Sequence, residues 1–157
     1  DPKAKNRSRV YYKIADLQAA QLEPGAMALL TDEHGFVTEG TGNNFFMVRD
    51  GQILTPKGHD ILRGVSRQAC MELARNQGID VIEADISPYD ARAADEIWFT
   101  STTICMIPVT RFNFRPVGDG QPGPVYTQLL HAWSEAVGVD IAAQAAEYAR
   151  LAPNWKP

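Results

Sequence analysis

Between residues 27 and 55 the chain alternates short extended runs with reversal signals, and this rhythm constrains the fold more than any other feature. Residues 27–31 are followed by Asp32-Glu33-His34-Gly35, and residues 36–39 by Gly40-Thr41-Gly42-Asn43. Residues 45–49 lead through the Asp50-Gly51 dipeptide into residues 52–55. Asp, Asn and Gly tolerate the left-handed backbone that tight reversals need, so the pattern reads as an antiparallel meander. The apolar runs are strand length: the longest, Ala26-Met27-Ala28-Leu29-Leu30, is far short of the roughly 18 to 20 residues of a membrane span.

Helical patterns surround the meander. Residues 7–22 place Val10, Ile14, Leu17 and Leu22 at helical spacing with Arg and Lys on the other face, and Pro24-Gly25 stops them. A second helix opens at Gly64-Val65-Ser66, with Ser66 as cap, Val65, Ala69, Leu73 and Gln77 along one face, and Gly78 as terminator. Residues 81–84 read as a strand, Ser87-Pro88 starts a short helical turn, and residues 97–101 and 106–110 read as strands. A glycine-proline loop over 118–124 precedes a helix from about Val125 that turns Leu129, Trp133 and Val137 inward, and residues 139–151 are Ala-rich and helical. The expected class is α+β with one mixed sheet system.

The chain has 157 residues, 45% hydrophobic and 22% charged, an ordinary balance for one globular domain. A net charge of −4 argues against a nucleic-acid partner. Cys70 and Cys105 have no C-x-x-C spacing and read as buried free thiols, which fits a reducing, cytoplasmic compartment. His34, His59 and His131 show no ligand spacing and read as surface residues, so no metal site is expected. Trp98, Trp133 and Trp155 read as packing residues. The first residue is Asp1 rather than Met, so the sequence is expected to be a piece of a longer chain.

Four strings occur in order: Asp1-Pro2-Lys3-Ala4-Lys5-Asn6; Val37-Thr38-Glu39-Gly40-Thr41-Gly42-Asn43-Asn44; Leu62-Arg63-Gly64-Val65-Ser66-Arg67; and Asp95-Glu96-Ile97-Trp98-Phe99-Thr100-Ser101-Thr102-Thr103, with Gly120-Gln121-Pro122-Gly123-Pro124 after them. This collinear set resembles the C-terminal large domain of the class IV aminotransferases, the fold-type-IV pyridoxal-phosphate enzymes. The group includes branched-chain, D-amino-acid and (R)-amine transaminases and aminodeoxychorismate lyase. The resemblance implies a barrel-like, largely antiparallel sheet with flanking helices. It makes residues 1–157 the cofactor-binding domain and leaves the family's small N-terminal domain outside this sequence. It also implies a homodimer that takes an amino acid or amine and a 2-oxo acid.

The same resemblance assigns candidate roles. Lys5 takes the place of the Schiff-base lysine, with Lys3 as competitor; Lys5 alone keeps the preceding Ala and the adjacent Asn. Glu39 takes the place of the carboxylate that bonds the pyridine nitrogen, and Asn44 stands where relatives keep Asn. Val65 and Ser66 open a helix whose first N–H groups suit a phosphate, and Thr102, beside Ser101, would add a hydroxyl. Thr103 and Ile104 match positions that face the substrate. Cys105 stands where many relatives have Glu, and the family's aromatic residue four or five places after its lysine falls here on Arg9 and Val10, so the partner of the cofactor's phenolic oxygen is unassigned. Two alternatives stay open: a lyase on the same scaffold, and a catalytically silent fragment.

Overall fold

A computed structural model describes residues 3–5 and 9–151. The order is α1 (Val10–Leu22), β1 (Leu29–Thr31), β2 (Val37–Gly40), β3 (Asn44–Arg49), β4 (Gln52–Pro56), α2 (Val65–Asn76), β5 (Val81–Ala84), α3 (Pro88–Arg92), β6 (Glu96–Ser101), β7 (Cys105–Pro108), β8 (Arg111–Phe112), β9 (Arg115–Pro116), α4 (Pro124–Val137) and α5 (Ile141–Leu151). The meander forms as its turn chemistry requires. Asp50 and Gly51 both take positive φ between β3 and β4, as a two-residue hairpin turn demands. The Asp32 carboxylate accepts from the backbone N–H groups of His34 and Phe36 and closes the β1–β2 reversal.

Strand β3 is the centre. It pairs antiparallel with β2 at Asn44, with β4 along Met47–Arg49 and with β6 along Asn44–Val48. β4 and β5 run parallel, joined by the α2 crossover, and β7 folds back on β6. The sheet is thus mixed and largely antiparallel, as expected, and its seven strands form a branched open path rather than a closed ring. The small β8–β9 hairpin has no signal in the strand pattern.

Alternate residues of β3 serve two cores. Phe46 and Val48 join Trp98, Cys70, Met71, Ala74, Tyr126 and Leu129 under α2 and α4. Phe45 and Met47 join Val37, Ile86, Ala91, Ile97 and Phe99 on the other face. A strand covered on both sides reads as an unbroken apolar run, which is why Phe45-Phe46-Met47-Val48 shows no alternation. Trp98 stacks on Phe46 with ring centroids 5.6 Å apart.

Two helix faces differ from the sequence reading. In α2 the cap is Gly64, with no side-chain cap bond, and Ser66 lies inside the first turn. The buried residues are Ser66, Arg67, Cys70, Met71 and Ala74, whereas Val65 is 77% exposed. The buried face runs through Cys70, Met71 and Ala74, one position on from Ala69 and Leu73, and Arg67 at its edge bonds a carbonyl and a carboxylate. In α1 no residue is buried, and Val10, Ile14 and Leu17 point to solvent. In α4, Leu129 is buried as expected but Val137 is exposed. Cys70 is buried; Cys105 is only half-buried, at a left-handed φ of 54°. Trp155 lies outside the described residues. Among the described residues no helix is long and apolar enough to cross a membrane, and no group of His, Cys, Asp and Glu could hold a metal ion.

Candidate active site

Register brings Glu39, Asn44 and the residues that follow Thr100 to one end of the sheet. Glu39, near the end of β2, pairs with Asn44 at the start of β3, and Asn44 pairs with Thr100 near the end of β6. Ser101 ends β6, and Thr102, Thr103 and Ile104 form the exposed turn that follows. The Ser101 and Thr103 hydroxyls lie 3.0 Å apart across that turn. Asn43 Oδ1 and Thr100 Oγ1 are buried at this end without a hydrogen-bond partner among the described residues.

Glu39 is 5% exposed, and its carboxylate is held from three directions. Oε1 accepts from the Tyr12 hydroxyl at 2.8 Å. Oε2 accepts from the Leu62 N–H at 3.0 Å and from Asn44 Nδ2 at 3.2 Å. Burial pushes this carboxyl above its usual range, against the opposing pull of the Tyr12 and Leu62 hydrogen bonds and the Arg9 charge. A carboxylate has about four acceptor sites. Among the described residues three hydrogen bonds hold this one, one on Oε1 and two on Oε2.

Asn44 couples this carboxylate to the start of α2. Its amide donates both to Glu39 and to the Leu62 carbonyl at 2.8 Å. Its Oδ1 sits where a Cβ on Gly64 would stand, 2.2 Å away, so only glycine lets the chain pass so close before the helix. The first helical bond of α2 runs from Gln68 N–H to the Gly64 carbonyl, which leaves the N–H groups of Val65, Ser66 and Arg67 ahead of it. With no side-chain cap, that end is an electropositive donor cluster suited to an anion. Arg67 anchors the turn by donating to the Pro56 carbonyl and the Glu83 carboxylate, each at 2.9 Å. A cleft of about 780 Å³ runs beside this turn; it takes in Gly64, Val65, Lys57, His59 and Arg63 but not Lys5, Glu39 or Thr102. The cleft shares the helix start with the candidate site but not its carboxylate.

Lys5 is exposed in the segment before α1. Asp1, Pro2 and Asn6, which belong to the same string, lie outside the described residues. Four residues after Lys5, Arg9 acts on the Glu39 charge and reaches the Gly42 turn. The chain between them spans at most ~14 Å. Tyr12 is the site residue that hydrophobic spacing does not single out. The signal for it is the polar stripe Arg9, Tyr12, Asp16 at i, i+3, i+7 on a helix whose apolar stripe reads as the packing face.

Known proteins are similar to this chain in sequence and in fold. Residues 1–112 match the family described as Amino-transferase class IV. The chain is 37% identical over 109 residues to a putative branched-chain-amino-acid aminotransferase of Methanocaldococcus jannaschii, covering 69% of this chain and 38% of that protein. It is 37% identical over 102 residues to a D-alanine aminotransferase of Listeria innocua, covering 64% and 35%. The structure of the branched-chain amino acid aminotransferase from Thermobaculum terrenum in its PLP form superposes with a TM-score of 0.81 at 27% identity, covering 90% of this chain and 47% of that one. The chain thus spans less than half the length of these relatives.

Proposed function

The chain belongs to the class IV aminotransferases, and on that premise we propose that it is the C-terminal, cofactor-binding domain of a pyridoxal-phosphate transaminase moving an amino group from an amino acid or amine to a 2-oxo acid. The observation that carries this reading is the buried Glu39 carboxylate, held on both oxygens and joined by Asn44 to an uncapped helix start. A ring N–H fits the first and a phosphate fits the second. Pyridoxal phosphate, when bound, supplies an electron sink for the substrate's α-carbon.

The chain's own residues divide the work. Glu39 accepts the ring N–H and keeps that proton in place, because its burial strengthens charge interactions with the ring. The N–H groups of Val65 and Ser66 would hold the phosphate, and the Thr102 hydroxyl with its neighbour Ser101 would add to that hold. The Lys5 amine holds the cofactor and carries a proton to and from the substrate α-carbon. Thr103 and Ile104 wall the substrate, and the half-exposed Ile104 favours an apolar group there. The small N-terminal domain of the family completes the phosphate cup from sequence outside residues 1–157, in keeping with the share of its relatives that this chain covers. The whole protein acts as a cytoplasmic homodimer; the exposed apolar face of α1 and the two free cysteines support that reading.

The test uses the full-length protein loaded with pyridoxal phosphate. Borohydride reduction and peptide mapping should place the label on Lys5, and amino transfer to a 2-oxo acid should follow from both L- and D-amino acid panels or from one of them. A label on Lys3 overturns the lysine assignment. Release of pyruvate without any transfer overturns the transaminase reading in favour of a lyase.

A further inference from the structure

We propose that Tyr12 is a positioning residue for Glu39: its hydroxyl holds Oε1, and so aims the carboxylate, and fastens α1, the helix that follows Lys5, to the cofactor end of the sheet. The proposal rests on the reading of Glu39 as the partner of the ring nitrogen.

Oε2 accepts from Asn44 at the start of β3 and from Leu62 in the loop before α2. Oε1 accepts from the Tyr12 hydroxyl at 2.8 Å. A carboxylate held only through Oε2 could still pivot; the Tyr12 bond on the other oxygen fixes its plane. The phenol is itself steadied by Tyr11, whose ring centroid lies 4.3 Å away. The charged and titratable groups acting on Glu39 among the described residues are Arg9 and Tyr12, and both draw its carboxyl down against burial.

The second half follows from how α1 is attached. No residue of α1 is buried, so apolar packing cannot seat it. Its described ties to the site are polar and fall on one stripe. Arg9 lies against Gly42, Tyr12 bonds Glu39, and Asp16 accepts from the Thr41 hydroxyl at 2.6 Å. All three reach β2 or the turn after it, so the helix is registered on the cofactor carboxylate and its loop.

The experiment compares wild type, Tyr12→Phe and Asp16→Ala in the full-length protein. Carbon-13 labelling of Glu side chains reports the Glu39 titration in the apoprotein, hydrogen exchange reports α1, and kcat and KM are read on the loaded enzyme. Tyr12→Phe should raise the Glu39 midpoint, speed exchange in α1, and lower kcat about tenfold with KM nearly unchanged. Asp16→Ala should speed exchange in α1 and leave the Glu39 midpoint alone. An unmoved midpoint in a folded Tyr12→Phe protein overturns the proposal. If that variant does not fold, 3-fluorotyrosine at position 12, a stronger donor, should lower the midpoint, and no change overturns the proposal. Glu39→Gln separates the underlying reading. Full activity in Glu39→Gln sinks the ring-partner role itself, whereas activity lost there but retained in Tyr12→Phe sinks Tyr12 alone.

Discussion

Glu39 and Cys70 are both buried ionisable groups, and their surroundings send them to different tasks. Glu39 accepts three hydrogen bonds from described residues, and those from Tyr12 and Leu62 oppose the upward pull of burial; Cys70 lies in the core with Trp98, its thiol pushed up to about 12 by burial. A thiol at that value is almost wholly protonated at pH 8, so we expect Cys70 to resist iodoacetamide in the folded protein and react only after unfolding, as followed by mass spectrometry. The native pKa of Glu39 lies above the ordinary 4.5, so in the window just above 4.5 the native state holds the proton more tightly than the unfolded chain. Stability of the apoprotein therefore falls as pH rises through that window. Glu39→Gln removes this slope, and urea midpoints across the acid range, wild type against variant, should diverge there. At this scale the candidate residue itself is legible in the string around Gly40 and Gly42, but its partners are not. Tyr12 and Leu62 lie 27 and 23 residues away in sequence, and only the fold brings them to the carboxylate.

Local chemistry decides some elements entirely. Ser87 and Asp90 form a reciprocal capping box with Pro88 in the first turn, and four adjacent residues suffice to specify it. Ser87→Ala should cost about 1 kcal/mol in a urea melt. The start of α2 is different, because its geometry depends on a close approach. Gly64→Ala would put a Cβ 2.2 Å from Asn44 Oδ1, and the Asn44 amide that bonds Glu39 and Leu62 must then move. We expect the fold to persist and the Kd for pyridoxal phosphate to rise about tenfold or more, measured by fluorescence titration. The start of α2 at Gly64-Val65-Ser66 is readable from sequence, whereas the rotation of its buried face is not. On that face Cys70, Met71 and Ala74 pack against Trp98 and Leu129, and Arg67 at its edge meets Pro56 of β4 and Glu83 of β5. In α1 the inversion is complete: polar contacts face the sheet while Val10, Ile14 and Leu17 stay exposed.

The whole molecule is organised by β3, which separates two cores and joins β2, β4 and β6. Leu129 from α4 is fully buried beneath that sheet with α2 and Trp98. Leu129→Ala should cost about 2–5 kcal/mol by chemical denaturation, with the spread set by how far α2 and α4 can close the cavity. By itself the sequence determined the meander, the helix-strand order, the α+β class and the strings that mark the family, because turn residues, caps and apolar runs act within a few positions of where they stand. The tertiary structure alone decided the pairing of β3 with β6, the parallel β4–β5 contact, which faces of α1 and α2 turn inward, and the meeting of Tyr12, Asn44 and Leu62 on Glu39. The reason is physical: hydrogen bonds and ion pairs between distant residues leave no periodicity in the chain, yet a buried carboxylate is stable only where they converge.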